Sequence, residues 1–239
     1  MTTPDTAATV QEKLNEYWTL RAPEYDAYQQ EPNRLEENNR AWSEAFAAAL
    51  PEAPADVLDL GTGSGYVACL LAAMGHRVTA TDLSAGMLEQ AAKHAADMVT
   101  PPAFAEGDAV APDFAEHSFD AITNRFLMWT LREPDVALAN WRRLLRPGGR
   151  LVVVDGTWYP DGMDGDRTAD FQRLYDAPVR ESLTLATART IDEVADRIAA
   201  AGFSDVEVTP LEAILELDKK YGVAPNHEVV LLHRITGRA

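Results

Sequence analysis

Three glycines at alternate positions, Gly61, Gly63 and Gly65, follow directly on the apolar run Val57-Leu58-Asp59-Leu60. A helical pattern carrying Val67, Leu70, Leu71 and Met74 starts just beyond them. Glycine lets the chain turn tightly and bring its backbone close to a ligand, and the first amides of a helix are then open to polar or anionic groups. A dinucleotide-binding loop wants another glycine three positions after Gly63, and Tyr66 stands there instead. That bulk would crowd a pyrophosphate, which argues against an NAD-type dehydrogenase. Asp82 ends the next apolar segment, placed either to accept both hydroxyls of a ribose or to charge the start of the following helix. Asp108, after a short third segment, is placed to accept from an exocyclic amine or simply to make a turn.

The elements that must hold these residues alternate. Strand patterns at 57–60, 77–81, 103–105, 119–124 and 151–154 are separated by helical patterns marked by Val67 and Leu71, by Met87, Leu88, Ala91 and Ala95, and by Val136, Trp141 and Leu145. Such alternation predicts a mostly parallel α/β sheet covered on both faces, with right-handed crossovers that put every strand C-terminus on one edge. Asp59, Asp82, Asn124 and Asp155 all fall at such ends, where ligand chemistry is expected. Before the sheet, a helix is predicted over 10–21 and a second over 34–50, with Tyr25 and Tyr28 following across Pro23; the head up to Thr9 is expected to fray. These helices serve as a cap over a ligand, as packing, or as both. After Asp155 an interruption runs from 156 to 189; Thr190 and Glu193 then sign a capping box, and strands are expected at 203–208 and 228–235 around a connection with a short helical middle.

The balance of 21 Lys and Arg against 38 Asp and Glu gives a net charge of −17, a field that repels phosphate backbones and anionic lipid headgroups. No nucleic-acid or membrane partner is therefore expected. The single Cys69 and the lack of a signal-like N-terminus fit a reducing cytoplasmic setting.

In order along the chain, Val57-Leu58-Asp59-Leu60-Gly61-Thr62-Gly63-Ser64-Gly65, Asp82-Leu83-Ser84, Gly107-Asp108, Phe119-Asp120-Ala121-Ile122 and Leu144-Leu145-Arg146-Pro147-Gly148-Gly149 resemble the class I S-adenosylmethionine-dependent methyltransferases. The likeness is greatest to their small-molecule branch, which includes the ubiquinone and menaquinone biosynthesis enzymes. The resemblance implies a Rossmann-like seven-stranded sheet of order 3-2-1-4-5-7-6 with the seventh strand antiparallel. It implies a helical cap at 1–50 and a methyltransferase domain at 51–239 with an acceptor-side insertion at 156–189. It also implies S-adenosylmethionine as cofactor and no metal. Asp59 with Gly61, Thr62, Gly63 and Gly65 would hold the methionine end, Asp82 the ribose, Leu83 and Met87 the flanks of the sugar and base, and Gly107, Asp108 and Ala109 the adenine edge. Asn124 and Arg125 would approach the sulfonium, and Tyr17, Trp18, Arg21 and Tyr25 match the family's aromatic approach segment.

Methyl transfer from a sulfonium needs alignment and exclusion of water more than a catalytic triad. Two candidates for a base nonetheless stand out. Asp155 ends a core strand, as a base or as a buried cap for the next loop, and His227 precedes the last strand, as a base or as a polar turn residue. An apolar acceptor pocket is expected from Phe126, Met128, Trp129, Trp158, Tyr159, Phe171 and Tyr175, unless these aromatics only pack the insertion onto the domain. Asp161, Asp164 and Asp166 lack the remaining ligands of a calcium loop and read as a solvated acidic run. The expected activity is methylation of a small, partly apolar metabolite by a monomer or homodimer. High Ala, Arg and Pro usage suggests bacterial secondary metabolism, antibiotic biosynthesis included. A cyclase supported by the same cofactor and a non-catalytic cofactor-binding scaffold are the alternatives.

Overall fold

The computed structural model describes residues 4–163, 168–224 and 227–239. Its seven-stranded sheet has the order β3-β2-β1-β4-β5-β7-β6. The strands are β1 (Asp56–Leu60), β2 (Arg77–Asp82), β3 (Ala103–Glu106), β4 (Phe119–Arg125), β5 (Leu145–Asp155), β6 (Ser204–Pro210) and β7 (His233–Arg238). β7 runs antiparallel to both β5 and β6, and the pairs from β3 through β5 are parallel.

Alternation along the strands divides the core in two. Leu58, Ile122, Leu151 and Val153 face α5 (Pro134–Leu144) and α8 (Asp192–Ala200), where Trp141 and Ile198 are fully buried. Val57, Ala121, Val152 and Val154 face α2 (Pro32–Ala47), α3 (Tyr66–Ala73) and α9 (Glu212–Tyr221) through Trp42, Phe46, Leu71 and Ile214. Burial on both faces is why these strands read as continuous apolar runs. A third cluster lies above the sheet edge. There Val10, Leu14 and Tyr17 of α1 (Pro4–Gln29) pack on Phe171 and Leu174 of α6 (Ala169–Leu174), on Tyr175, and on Val179 of α7 (Ala177–Ser182).

Three elements depart from the sequence expectation. α1 starts at Pro4, so residues 4–9 are helical and not frayed, and it continues through Pro23 to Gln29. Proline forfeits one helical bond, but Ala22 beside it is buried and the turn is held by packing. β5 begins at Leu145 and runs through Pro147-Gly148-Gly149, because a bulge between Phe119 and Ala121 of β4 absorbs the irregular stretch. β7 starts at His233, later than residue 228, because its pairing with β5 and with β6 ends at His233 on both sides. The helix expected after Thr190 forms, with the Glu193 carboxylate accepting from the Thr190 amide at 3.1 Å. Asp164 and Asp166 of the acidic run, and the Pro225-Asn226 turn, lie outside the described residues.

Candidate functional site

At the C-terminal edge of β1, β2 and β4 a cleft opens under α1. Its floor starts at the glycine turn. Gly65 has φ of +79° and caps α3, and a Cβ there would lie 2.8 Å from the Ala91 Cβ on α4 (Ala85–Ala95). Only glycine fits, because the left-handed backbone and the helix contact both exclude a side chain. Asp82 is the anchor of the floor. Its Oδ2 accepts from the Gly63 amide and its Oδ1 from the Ser84 amide, both at 2.8 Å. Each oxygen keeps a further lone pair, so two more donors can be accepted from the cleft. Burial pushes the Asp82 carboxyl up, against the amides of Ser84, Gly63 and Leu83 that draw it down.

One wall is acidic and basic at once. Asp108 accepts from the Val110 amide at 2.9 Å through Oδ1 and from Arg132 at 2.6 Å through Oδ2. Arg132 was not anticipated; it lies on the loop before α5, where no pattern announces it. The roof is α1, which contributes Gln11, Leu14, Asn15, Trp18 and Tyr25. It is tied down at α4, where the Thr19 and Ser84 hydroxyls lie 3.0 Å apart and a Cβ on Gly86 would meet the Thr19 backbone oxygen at 3.1 Å.

Of the residues expected at a cofactor, Trp18, Tyr25, Gly61, Gly63, Asp82, Leu83, Met87, Gly107, Asp108, Ala109 and Arg125 line this one cleft. Asp59, Thr62, Gly65 and Asn124 sit just behind its surface. Asp59 accepts from the Thr123 hydroxyl at 2.7 Å, and burial pushes its carboxyl up to about 6 against the Thr62 and Thr123 hydroxyls and the Arg125 charge. Its Oδ2 and both polar atoms of the Asn124 amide are buried without a hydrogen bond of ordinary geometry. Two expected residues point elsewhere. Tyr17 turns edge-on to Tyr175 at 4.9 Å in the third cluster, and Arg21 pairs with Glu24 at 2.7 Å.

The acceptor-side residues separate similarly. Phe126 lines the cleft, held by its amide's bond to the Val154 carbonyl in a left-handed conformation with φ of +62°. For a bulky residue that backbone is strained, and such strain gathers at functional sites. Met128 is buried in the sheet core, and Trp129, Tyr159, Phe171 and Tyr175 join the third cluster, Phe171 stacking on Tyr175 at 4.3 Å. Trp158 sets its edge against Phe126 at 5.1 Å. The insertion aromatics therefore hold α1 in place. Asp155 is likewise a cap: it accepts from the Met128 amide, the Gly156 amide and the Trp158 indole, so it joins the loops after β4 and β5. Burial pushes its carboxyl up to about 6 against those bonds. His227 lies edge-on to Trp158 at 6.2 Å and does not line the cleft.

A second, smaller pocket meets the cleft, with Tyr25, Arg125 and Phe126 in both. Its other walls include Tyr28, Arg34, Asn38, Trp42, Tyr66 and Asp218. None of these was anticipated as a site residue. Trp42 falls within the helix expected over 34–50, and Tyr66 reads only as an obstacle to a pyrophosphate. Among the described residues, no group of three or more His, Cys, Asp and Glu could hold a metal ion, and no helix is long and apolar enough to cross a membrane.

Residues 58–153 match the family model described as a methyltransferase domain. The demethylmenaquinone methyltransferase of Beutenbergia cavernae is 35% identical over 147 residues, which are 61% of this chain and 57% of the relative. The chain spans about half the length of the curated relatives it matches. Among solved structures, the 4+2 cyclase SpnF superposes with a TM-score of 0.67 at 18% identity, over 94% of this chain and 95% of that one. Phosphoethanolamine N-methyltransferase 2 of Haemonchus contortus, in complex with S-adenosyl-L-methionine, superposes at 0.61 with 19% identity, over 84% of this chain and 52% of that one. The sheet order is that of these folds, residues 58–153 match a methyltransferase domain, and over 61% of its length the chain is similar to a demethylmenaquinone methyltransferase.

Proposed function

We propose that the protein is an S-adenosylmethionine-dependent methyltransferase acting on a small, partly apolar metabolite. The observation that carries this reading is Asp82, on the cleft floor with a free lone pair on each oxygen beside the glycine turn. The buried, unpartnered Asp59 Oδ2 and Asn124 amide at the same strand ends fit a ligand that brings its own polar groups, as the methionine end of this cofactor does. When bound, the cofactor supplies a methyl group already activated by the sulfonium charge. Asp82 would accept the ribose hydroxyls, and Asp108 would share its carboxylate between Arg132 and the adenine amine. Leu83 and Met87 would flank the sugar and base, and Asp59 would receive the methionine ammonium through Oδ2.

The chain contributes position and dryness. Trp18, Tyr25 and Phe126 close apolar rings over the cleft and keep water from the reacting centre. Asp155 acts as a positioning residue, through the loop of Phe126 to Trp129 that it holds. Action on a metabolite of bacterial secondary metabolism belongs to the same proposal, with composition as its support. The likeness to SpnF is one of fold at 18% identity and favours no cyclase reading.

The test is mass spectrometry of reactions holding the protein, methyl-deuterated S-adenosylmethionine and a fractionated small-molecule pool from the source organism. A labelled product together with S-adenosylhomocysteine is the expected result. Failure of S-adenosylhomocysteine to bind in calorimetry would overturn the reading outright.

A further inference from the structure

The second cavity has a chemistry of its own. The Arg125 guanidinium lies 4.9 Å from the ring centres of Trp42, Tyr66 and Phe126. Among the described residues no carboxylate pairs with it, and its hydrogen-bond acceptor is the neutral Gln29 side chain at 3.1 Å. A guanidinium carries five donors, so most of its hydrogen-bonding capacity is left for something else. Rings hold a cation in place but do not neutralise it. The neighbouring charges are already matched: Arg34 stacks on Tyr28 at 4.1 Å, donates to the Gly222 carbonyl at 3.2 Å and reaches Asp218 at 3.5 Å. The cavity thus keeps one positive charge in excess, in a chain whose net charge is −17.

A second donor waits beside it. The Tyr66 hydroxyl is buried without a hydrogen-bond partner, and Tyr66 is 8% exposed. Burial pushes its pKa up to about 12, so it remains a donor at neutral pH. An unpaired planar cation, an orphaned hydroxyl donor and three rings are a recognition set for one ligand chemistry. The ligand is a flat apolar body carrying an anionic oxygen pair, which a guanidinium grips with two parallel bonds.

We propose that this cavity is the acceptor site, that it takes a small planar aromatic acid, and that Arg125 and Tyr66 bind its carboxylate. The proposal rests on the methyl-donor reading of the adjoining cleft. Because Tyr25, Arg125 and Phe126 belong to both spaces, an acid seated against Arg125 lies directly next to the donor site. The anion then selects and orients the acceptor, and the rings fix the plane of its body.

The experiment titrates the full chain with 2-naphthoate and with its neutral carboxamide, with and without saturating S-adenosylhomocysteine, following tryptophan fluorescence. Naphthoate is expected to bind at least about tenfold more tightly than the carboxamide, the preference of a charged hydrogen-bond pair. It is expected to bind equally well or better with S-adenosylhomocysteine present. Arg125→Gln should erase the preference for the acid, Arg125→Lys should restore part of it, and Tyr66→Phe should reduce it with the fold intact by near-ultraviolet circular dichroism. Naphthoate displaced by S-adenosylhomocysteine would place the acid in the donor cleft and overturn the proposal. So would an Arg125→Gln variant that loses S-adenosylhomocysteine affinity and keeps the acid preference, since Arg125 would then serve the cofactor. Equal affinity for acid and carboxamide overturns it as well. S-adenosylhomocysteine titrated alone reports on the donor reading separately, so the two can fail independently.

Discussion

The donor cleft and the second cavity share a wall but are assembled in opposite ways. The cleft floor comes from consecutive strand ends and the turns after them, Gly61 to Gly63, Asp82 to Met87 and Gly107 to Val110, in the order in which the chain lays them down. Each turn is set largely by its own residues, a glycine with a left-handed backbone or a carboxylate that caps the next amides, and Asp82 ties two of the turns together by accepting from Gly63. The cavity draws Arg34, Tyr66, Arg125 and Asp218 from four distant elements that meet only when α2 and α9 pack on the sheet. A site made of local turns survives the loss of packing at its margins; a site made between elements does not.

Trp42→Ala is the largest test of that difference. Trp42 is buried against Phe46 and Phe126, and its removal should cost about 3–5 kcal/mol of stability. Chemical denaturation reads the loss, and S-adenosylhomocysteine affinity should stay within about threefold. An equal fall in both would mean that the two spaces are one site.

Next comes pH. Asp59 and Asp155 both have carboxyls raised to about 6 by burial. An acid whose folded pKa lies above its unfolded value keeps its proton further up the scale in the fold. Its contribution to stability is therefore full below about pH 4 and is lost as pH rises to about 6, by up to about 3 kcal/mol per group. Denaturation midpoints of the wild type should fall across that window, and Asp155→Asn should flatten the fall. An unchanged slope in Asp155→Asn would remove Asp155 from the account.

Asp82→Ala should then weaken S-adenosylhomocysteine by about 1–3 kcal/mol in calorimetry, the range for charged hydrogen bonds left unmade. It should leave 2-naphthoate binding unchanged, and an unaltered nucleoside affinity would sink the ribose assignment. Smallest of all, Thr19→Val removes the hydroxyl contact between α1 and Ser84 and should cost about 0.5–1 kcal/mol, visible as a slightly lower thermal midpoint. A larger loss would mean that α1 is pinned at that one point and not through its aromatic cluster.

These contrasts explain what could be read early. Gly61, Gly63, Asp82 and Asp108 were legible because turn chemistry and strand periodicity are local, and eleven of the expected cofactor residues do line one cleft. Asp155 was legible as a strand end and, as one of two readings, as a cap for the loop after it, but not as the tie between two loops, because the Met128 amide that it also holds comes from the loop after β4, which only tertiary packing brings beside it. The insertion aromatics had the composition of a pocket lining, yet they pack on one another beneath α1. Composition does not say which side of a helix a ring faces.

Alternating apolar runs, the glycine turn and the strand-end carboxylates by themselves determined a mostly parallel sheet with its ligand edge, since right-handed crossovers put the strand C-termini on one side; the order β3-β2-β1-β4-β5-β7-β6 followed only from the resemblance to the methyltransferases. Only the tertiary structure decided which neighbours each side chain meets. It sealed Asp155 under two loops, tied Asp108 to Arg132, and left Arg125 among three rings with no described carboxylate in ion-pair contact, because such pairings depend on elements that approach from far along the chain.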